Sequence, residues 1–202
     1  MVGMEKDILL LISRVRCMTE IQAGKVFNSR KKFGKKPIKK TLRKMCNEYT
    51  LRKYPVNINY AGYKDNSYVY YLNGSQMYKG KDLIKVLIGS ELAIKIDCIG
   101  CEVRRFYRNV NVGKHKYDLF IEYRDQYDEL KQILVDIELS NKIDISKYKN
   151  ISADIYKSTI PFYEVPKILV VTSEKVHDIS LENTSCNIDF IDPNFTKLVN
   201  HL

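Results

Sequence analysis

The sequence predicts an α+β chain of two domains, a basic, helix-rich one over residues 1–80 and an αβββαβ domain over residues 81–202. Three observations predict it. A chain of 202 residues is long enough for two small domains. Apolar positions follow helical spacing through most of the first part and change to strand-like runs beyond Cys101. Charge is divided more sharply still: up to Gly80 there are 17 Lys and Arg against 5 Asp and Glu, and after it 17 against 19, so a net +12 is followed by −2. An excess confined to one part places a polyanion-binding surface there rather than over the whole molecule.

Other classes are set aside by composition. No apolar run is long enough to span a bilayer, and the start MVGMEKDILLLISRVR puts acids before its apolar stretch, so neither a membrane span nor a secretory leader is expected and the protein is expected in the cytoplasm. Five scattered cysteines, Cys17, Cys46, Cys98, Cys101 and Cys186, do not suggest a disulfide framework. Cys98 and Cys101 form a lone CxxC with no second Cys/His pair at zinc-finger spacing.

In the first part, Ile8, Leu11, Ile12 and Val15 predict a helix over residues 4–16. Thr19 offers an N-cap to a short second helix carrying Ile21, Ala23, Val26 and Phe27. After the loop SRKKFGKK, Pro37 suits the first turn of a third helix whose apolar stripe is Ile38, Leu42, Met45 and Tyr49. Two β-like stretches follow, Leu51 to Ile58 and Tyr68 to Leu72, around the turn-rich NYAGYKDNS. This is the element order of a winged helix-turn-helix, in which the third helix enters the major groove of duplex DNA and the hairpin loop touches the backbone or minor groove. Nine of the fifteen positions from Arg30 to Lys44 are basic: Arg30, Lys31, Lys32, Lys35, Lys36, Lys39, Lys40, Arg43 and Lys44. These are the expected DNA-binding residues. A single module of this kind covers little DNA, so a homodimer is expected, with the second domain as its contact.

In the second part, Leu83, Ile84, Leu87, Ile88, Leu92 and Ile96 mark a helix interrupted by Gly89. Strands are predicted over Val103–Val112, Tyr117–Tyr123 and Ile133–Leu139, then a helix over Ile143–Thr159, a strand over Lys167–Thr172 and a short strand over Asn187–Ile191. No internal repeat or low-complexity linker is present.

Alternation in QILVDIELSNK puts Asp136, Glu138 and Ser140 on one strand face, and Asp118 sits comparably in KYDLFIEY. Three convergent carboxylates suit Mg²⁺, which takes hard oxygen ligands and activates water. A one-sided sheet with a polar outer face would place the same residues the same way. Asp118 on one strand and Glu138 on the next resemble the PD-(D/E)XK nuclease core, with two departures: Tyr117 stands where Pro is usual, and Ser140 stands in the Lys position. Lys142 or Lys147 would have to supply that cation. Joined to a winged helix, and with IELSNK followed by ISKYKNI, the chain resembles the replication-relaxation family of plasmids, phages and mobile elements. The resemblance implies a sequence-specific DNA-binding protein acting in replication, transfer or transcription control, with a degenerate nuclease-like domain and no cofactor. The alternative it implies is a metal-dependent nuclease or nickase, with Asp118, Asp136, Glu138 and Lys142 catalytic and Asp118 and Glu138 holding Mg²⁺. The absent lysine favours the first. Other chemistry has little support: His115, His177 and His201 lie in no ligand motif, and Tyr68, Tyr70 and Tyr71 suit strand packing better than nucleophilic attack.

Overall fold

The computed structural model describes residues 3–29, 38–140, 143–173 and 187–202. The chain is α+β and divides into two compact units, Met1–Cys98 and Ile99–Leu202.

The first unit begins with α1 (Met4–Val15), which buries Met4, Ile8, Ile12 and Val15 along one stripe. A three-residue strand, β1 (Cys17–Thr19), leads directly into α2 (Glu20–Ser29). Thr19 caps that helix as expected, and the cap is reciprocal. The Gln22 amide N–H donates to Thr19 Oγ1 at 3.2 Å while Gln22 Oε1 accepts from the Thr19 N–H at 3.0 Å, so two otherwise orphaned backbone donors are satisfied. Next comes α3 (Ile38–Asn47), with Ile38, Leu42 and Met45 buried.

Tyr49 does not complete that stripe. It stands past the helix end at φ 57 and is 67% exposed, because the chain closes there in a Schellman arrangement: Thr50 N–H donates to Met45 O at 2.9 Å and Tyr49 N–H to Cys46 O at 3.1 Å. Strand β2 (Leu51–Pro55) pairs antiparallel with β5 (Tyr68–Leu72), and β5 pairs on its other side with β1, giving the sheet order β1-β5-β2. Between β2 and β5 a separate hairpin forms from β3 (Ile58–Tyr60) and β4 (Tyr63–Asp65). Its two-residue turn, Ala61-Gly62, has φ 48 and 86, the left-handed pair that matches the twist of a tight hairpin.

Helix α4 (Gly80–Cys98) corrects the expected division of the chain. It belongs to the first unit, where it packs on α1, α2 and β1, so the boundary falls after Cys98 and not at Gly80. Burial runs without a break from Val86 to Ile94, and Gly89 lies within that run without interrupting the helix. A helix enclosed on several sides loses the single stripe by which periodicity assigns it to a partner.

The second unit therefore opens on strands. Strands β6 (Glu102–Val112), β7 (His115–Arg124), β8 (Leu130–Ile137), β9 (Lys167–Val171) and β10 (Ile188–Ile191) form one sheet in the order β10-β9-β8-β7-β6. The β6-β7-β8 meander is antiparallel, and β8, β9 and β10 run parallel to one another. The β6–β7 turn needs Gly113: its φ is 58, and a Cβ there would collide with the Asp154 side chain.

The helix expected over Ile143–Thr159 is broken into a 3₁₀ turn (Ile145–Tyr148), a single-turn α5 (Ile151–Asp154) and a second 3₁₀ turn (Ile155–Lys157). Its apolar spacing nevertheless holds, since Tyr148, Ile151 and Ile155 are buried against Tyr117, Phe120 and Leu134 of the sheet. Continuity fails at the start. The Asp144 carboxylate accepts from the Ser146 N–H and hydroxyl, a local pairing that competes with helical hydrogen bonding. Among the described residues no helix is long and apolar enough to cross a membrane.

Candidate nucleic-acid interface and the carboxylates of the second unit

Burying Ile38, Leu42 and Met45 of α3 fixes where its charges go. At 3.6 residues per turn, Lys40 and Asn47 fall opposite the buried stripe, Arg43 and Lys44 lie roughly 130° from it on either side, and Lys39 lies roughly 90° from it. All five are exposed, but they are not equivalent. Lys39 Nζ lies 2.8 Å from Glu20 Oε1 at the start of α2. Lys44 Nζ lies 2.8 Å from Glu5 Oε1 in α1 and 3.5 Å from Glu48 Oε1, and its hydrogen bond to Glu5, with the charge of Glu48, holds it above the ordinary lysine range. Lys40 and Arg43 form no ion pair with any described residue. Asn47 was not singled out from the sequence, although its spacing of four from Arg43 and seven from Lys40 puts it on the same line. The expected contacts Arg30, Lys31, Lys32, Lys35 and Lys36 lie outside the described residues.

The β3–β4 hairpin divides its faces cleanly. Ile58 and Tyr63 are buried, with Tyr60 packed beside them, against Leu83, Val86 and Leu87 of α4. The cross-strand pair Asn59 and Lys64 points to solvent, as does the Ala61-Gly62 tip. Gln22 holds the hairpin in place: its buried amide donates to Tyr63 Oη at 3.2 Å and to Leu87 O at 2.9 Å, joining α2, the hairpin and α4.

The tyrosines of β5 serve packing. Tyr70 is buried and donates to Glu20 Oε2 at 3.2 Å, and burial pushes its hydroxyl far above the ordinary phenol range, opposite to what a nucleophile requires. Tyr71 meets Tyr54 edge-on, and Lys53 Nζ sits 4.8 Å from the centre of the Tyr68 ring.

In the second unit the acids are turned to partners within the protein. Strand β8 lies between β7 and β9 and is buried on both faces from Gln132 to Ile137, so Asp136 does not belong to a one-sided polar face. Asp136 Oδ2 accepts from Lys147 Nζ at 2.6 Å and from Tyr148 Oη at 2.8 Å. Lys147 Nζ also stands 4.5 Å from the centre of the Tyr117 ring. Burial, then the charge of Asp136 beside it, raises Tyr148 far beyond the usual phenol range, so it stays a proton donor to the carboxylate. Asp118 Oδ2 accepts from the Ile137 N–H at 2.7 Å across the β7–β8 ladder.

Glu138 lies beyond the end of β8, and its Oε1 accepts from the Ser140 hydroxyl at 2.9 Å. Asp118 and Asp136 are thus brought to neighbouring strands, and Lys147 supplies a cation to Asp136. The metal-binding convergence expected of Asp118, Asp136 and Glu138 is not formed: among the described residues no group of three or more His, Cys, Asp or Glu is placed to hold a metal ion. Lys142 lies outside the described residues.

Two polar clusters in this unit were not anticipated. Buried Glu122 accepts from Gln132 Nε2 at 3.0 Å and from Arg105 at 3.3 Å, and Gln132 also takes up Pro161 O and the Tyr163 N–H. Asp189 Oδ2 meets Lys167 Nζ at 2.8 Å and His201 Nδ1 at 2.9 Å. His201 is thereby a partner of a carboxylate. Comparison of the chain with protein-family models, curated proteins and solved structures finds no match.

Proposed function

We propose that this chain is a sequence-specific double-stranded DNA-binding protein and that its first unit is a winged helix-turn-helix. The observation that carries this reading is the outer side of α3, where Lys40 and Arg43 stand exposed, without an ion-pair partner among the described residues, turned away from the buried Ile38, Leu42 and Met45. The order α1-β1-α2-α3-β2-hairpin-β5, the sheet order β1-β5-β2 and an outward Lys64 on the hairpin support it. So does charge, since the basic excess lies in this unit. The resemblance to the replication-relaxation family extends the proposal to a cytoplasmic protein of a plasmid, phage or other mobile element, acting in replication, transfer or transcription control as a homodimer. The test is fluorescence anisotropy of the full chain with labelled duplex DNA over a salt series. Binding whose log K falls with log salt, with a slope of about −0.9 for each phosphate neutralised, is expected, and absent or salt-insensitive binding overturns the proposal. Light scattering of the same complex reads the dimer, and a monomer both free and on DNA overturns that part.

One observation favours a second reading, in which the second unit is a metal-dependent nuclease. Lys147 brings to Asp136 the cation that Ser140 does not provide. Nicking of supercoiled plasmid with Mg²⁺ or Mn²⁺ that disappears in Asp118→Ala and Glu138→Ala would establish it. A plasmid left intact would leave the second unit to contacts between proteins.

A further inference from the structure

Charge alone makes the four cations of α3 interchangeable, and their surroundings separate them. Resting on the duplex-DNA reading above, we propose that Glu20 and Glu5 partition these cations: they retain Lys39 and Lys44 in intramolecular ion pairs, so that specificity-determining contact falls to Lys40 and Arg43, and Glu20 restrains sequence-independent binding.

The two acids are fixed groups. Glu20 is the first residue of α2, where a carboxylate is favoured by the helix dipole, and its side chain is 18% exposed. Its second oxygen is held by the hydroxyl of Tyr70, a residue buried in the core. Glu5 sits in the first turn of α1 with its side chain 17% exposed. Each acid reaches its lysine at 2.8 Å from a different helix, so that the two pairs hold α3 from two sides.

An ion-paired lysine gains little from DNA. Its charge is already neutralised, so transferring it to a phosphate exchanges one anion for another and leaves a carboxylate facing the phosphate backbone. Lys40 and Arg43 carry no such cost, and each phosphate they neutralise releases counterions in full. Lys44 is held more firmly than Lys39, because Glu48 remains 3.5 Å away when Glu5 is removed. This produces a graded expectation.

Full-length variants are titrated with a short mixed-sequence duplex and with a duplex selected from a random pool, over a salt series. Lys39→Gln is expected to leave the salt slope near that of the wild type, whereas Lys40→Gln flattens it by about 0.9. Glu20→Gln, which keeps an acceptor for Tyr70, is expected to steepen the slope by about 0.9 and to tighten binding of the mixed-sequence duplex more than that of the selected one. Glu5→Gln is expected to do the same by a smaller amount. If Lys39→Gln flattens the slope as much as Lys40→Gln, or Glu20→Gln leaves slope and sequence preference unchanged, the partition is wrong while DNA binding stands. If the wild-type chain binds neither duplex, the DNA reading fails and the partition falls with it.

Discussion

The outer face of α3 and the acid-bearing end of β8 are both dense in charge, yet the chain treats them oppositely. On α3, burial of Ile38, Leu42 and Met45 drives Lys40 and Arg43 outward, where no acid among the described residues pairs with them. On β8, burial of both faces draws Asp136 inward, and the chain provides Lys147 and Tyr148 to meet it. A solvated charge retains its interaction energy for a ligand, whereas a buried one has spent it on the fold. The difference teaches that a cluster of charged residues becomes a candidate site only once its internal partners have been subtracted. Applied within α3, the same subtraction sets Lys39 and Lys44, ion-paired to Glu20 and Glu5 though more than half exposed, apart from Lys40 and Arg43.

The largest effect that can test this contrast lies in β8. Asp136→Ala leaves Lys147 and Tyr148 facing an empty position, and breaking a buried ion pair from one side costs about 3–5 kcal/mol. The side chains of Asp136 and Lys147 are 10% and 16% exposed, so solvent screening reduces this only in part. Urea unfolding monitored in the full chain is expected to show the loss, while Arg43→Ala, on the exposed pole, stays within about 0.5 kcal/mol of the wild type. Equal stability of the two variants would erase the distinction between the regions.

A second effect, opposite in sense, belongs to α3. If Arg43 forks onto a guanine edge, Arg43→Ala relaxes the preference for the selected duplex by about 1–3 kcal/mol, read as the ratio of its affinity to that for a mixed-sequence duplex. Asp136→Ala is expected to leave that ratio unchanged under conditions where both variants are folded. A ratio that Arg43→Ala does not move would reduce α3 to an electrostatic anchor.

Periodicity carried the sequence reading where one face of an element is buried, and failed where burial surrounds it. The stripes of α1 and α3, the cap at Thr19 and the alternation of β6 were legible for that reason, whereas β8 and β9, buried on both faces, were legible as short apolar runs rich in β-branched residues. Strand β1 was not, because three residues are too few to show alternation and Thr19 was already accounted for as a cap. The domain boundary was misplaced because charge is blind to it: Lys81, Lys85 and Lys95 balance Asp82, Glu91 and Asp97, so the first 80 and the first 98 residues both carry +12. In the candidate sites, spacing alone separates Lys40 and Arg43 from the buried stripe. The pairing of Lys39 with Glu20, or of Lys147 with Asp136, depends on contacts between elements and is not written in local spacing.

The smallest expected effect extends the contrast to pH. Asp189 is partly buried, which by itself raises a carboxyl pKa, but hydrogen bonds from Lys167 and His201 and their charges outweigh burial and hold it below the ordinary aspartate value. A carboxylate lowered on folding contributes stability that is fully present above its unfolded pKa and is lost as pH falls through the folded one. The urea midpoint of the wild type should therefore fall on acidification below the usual carboxylate range, and by less in Asp189→Asn, which has no proton to gain there. Between neutral pH and the unfolded pKa of aspartate, the difference between the two proteins should be constant as far as Asp189 is concerned. A difference that stays constant through the acid range would count against Asp189 as its source. The outward cations of α3 provide the control: Lys40→Gln removes a charge that pairs with no acid among the described residues, so the acid limb of the stability curve should keep its wild-type shape.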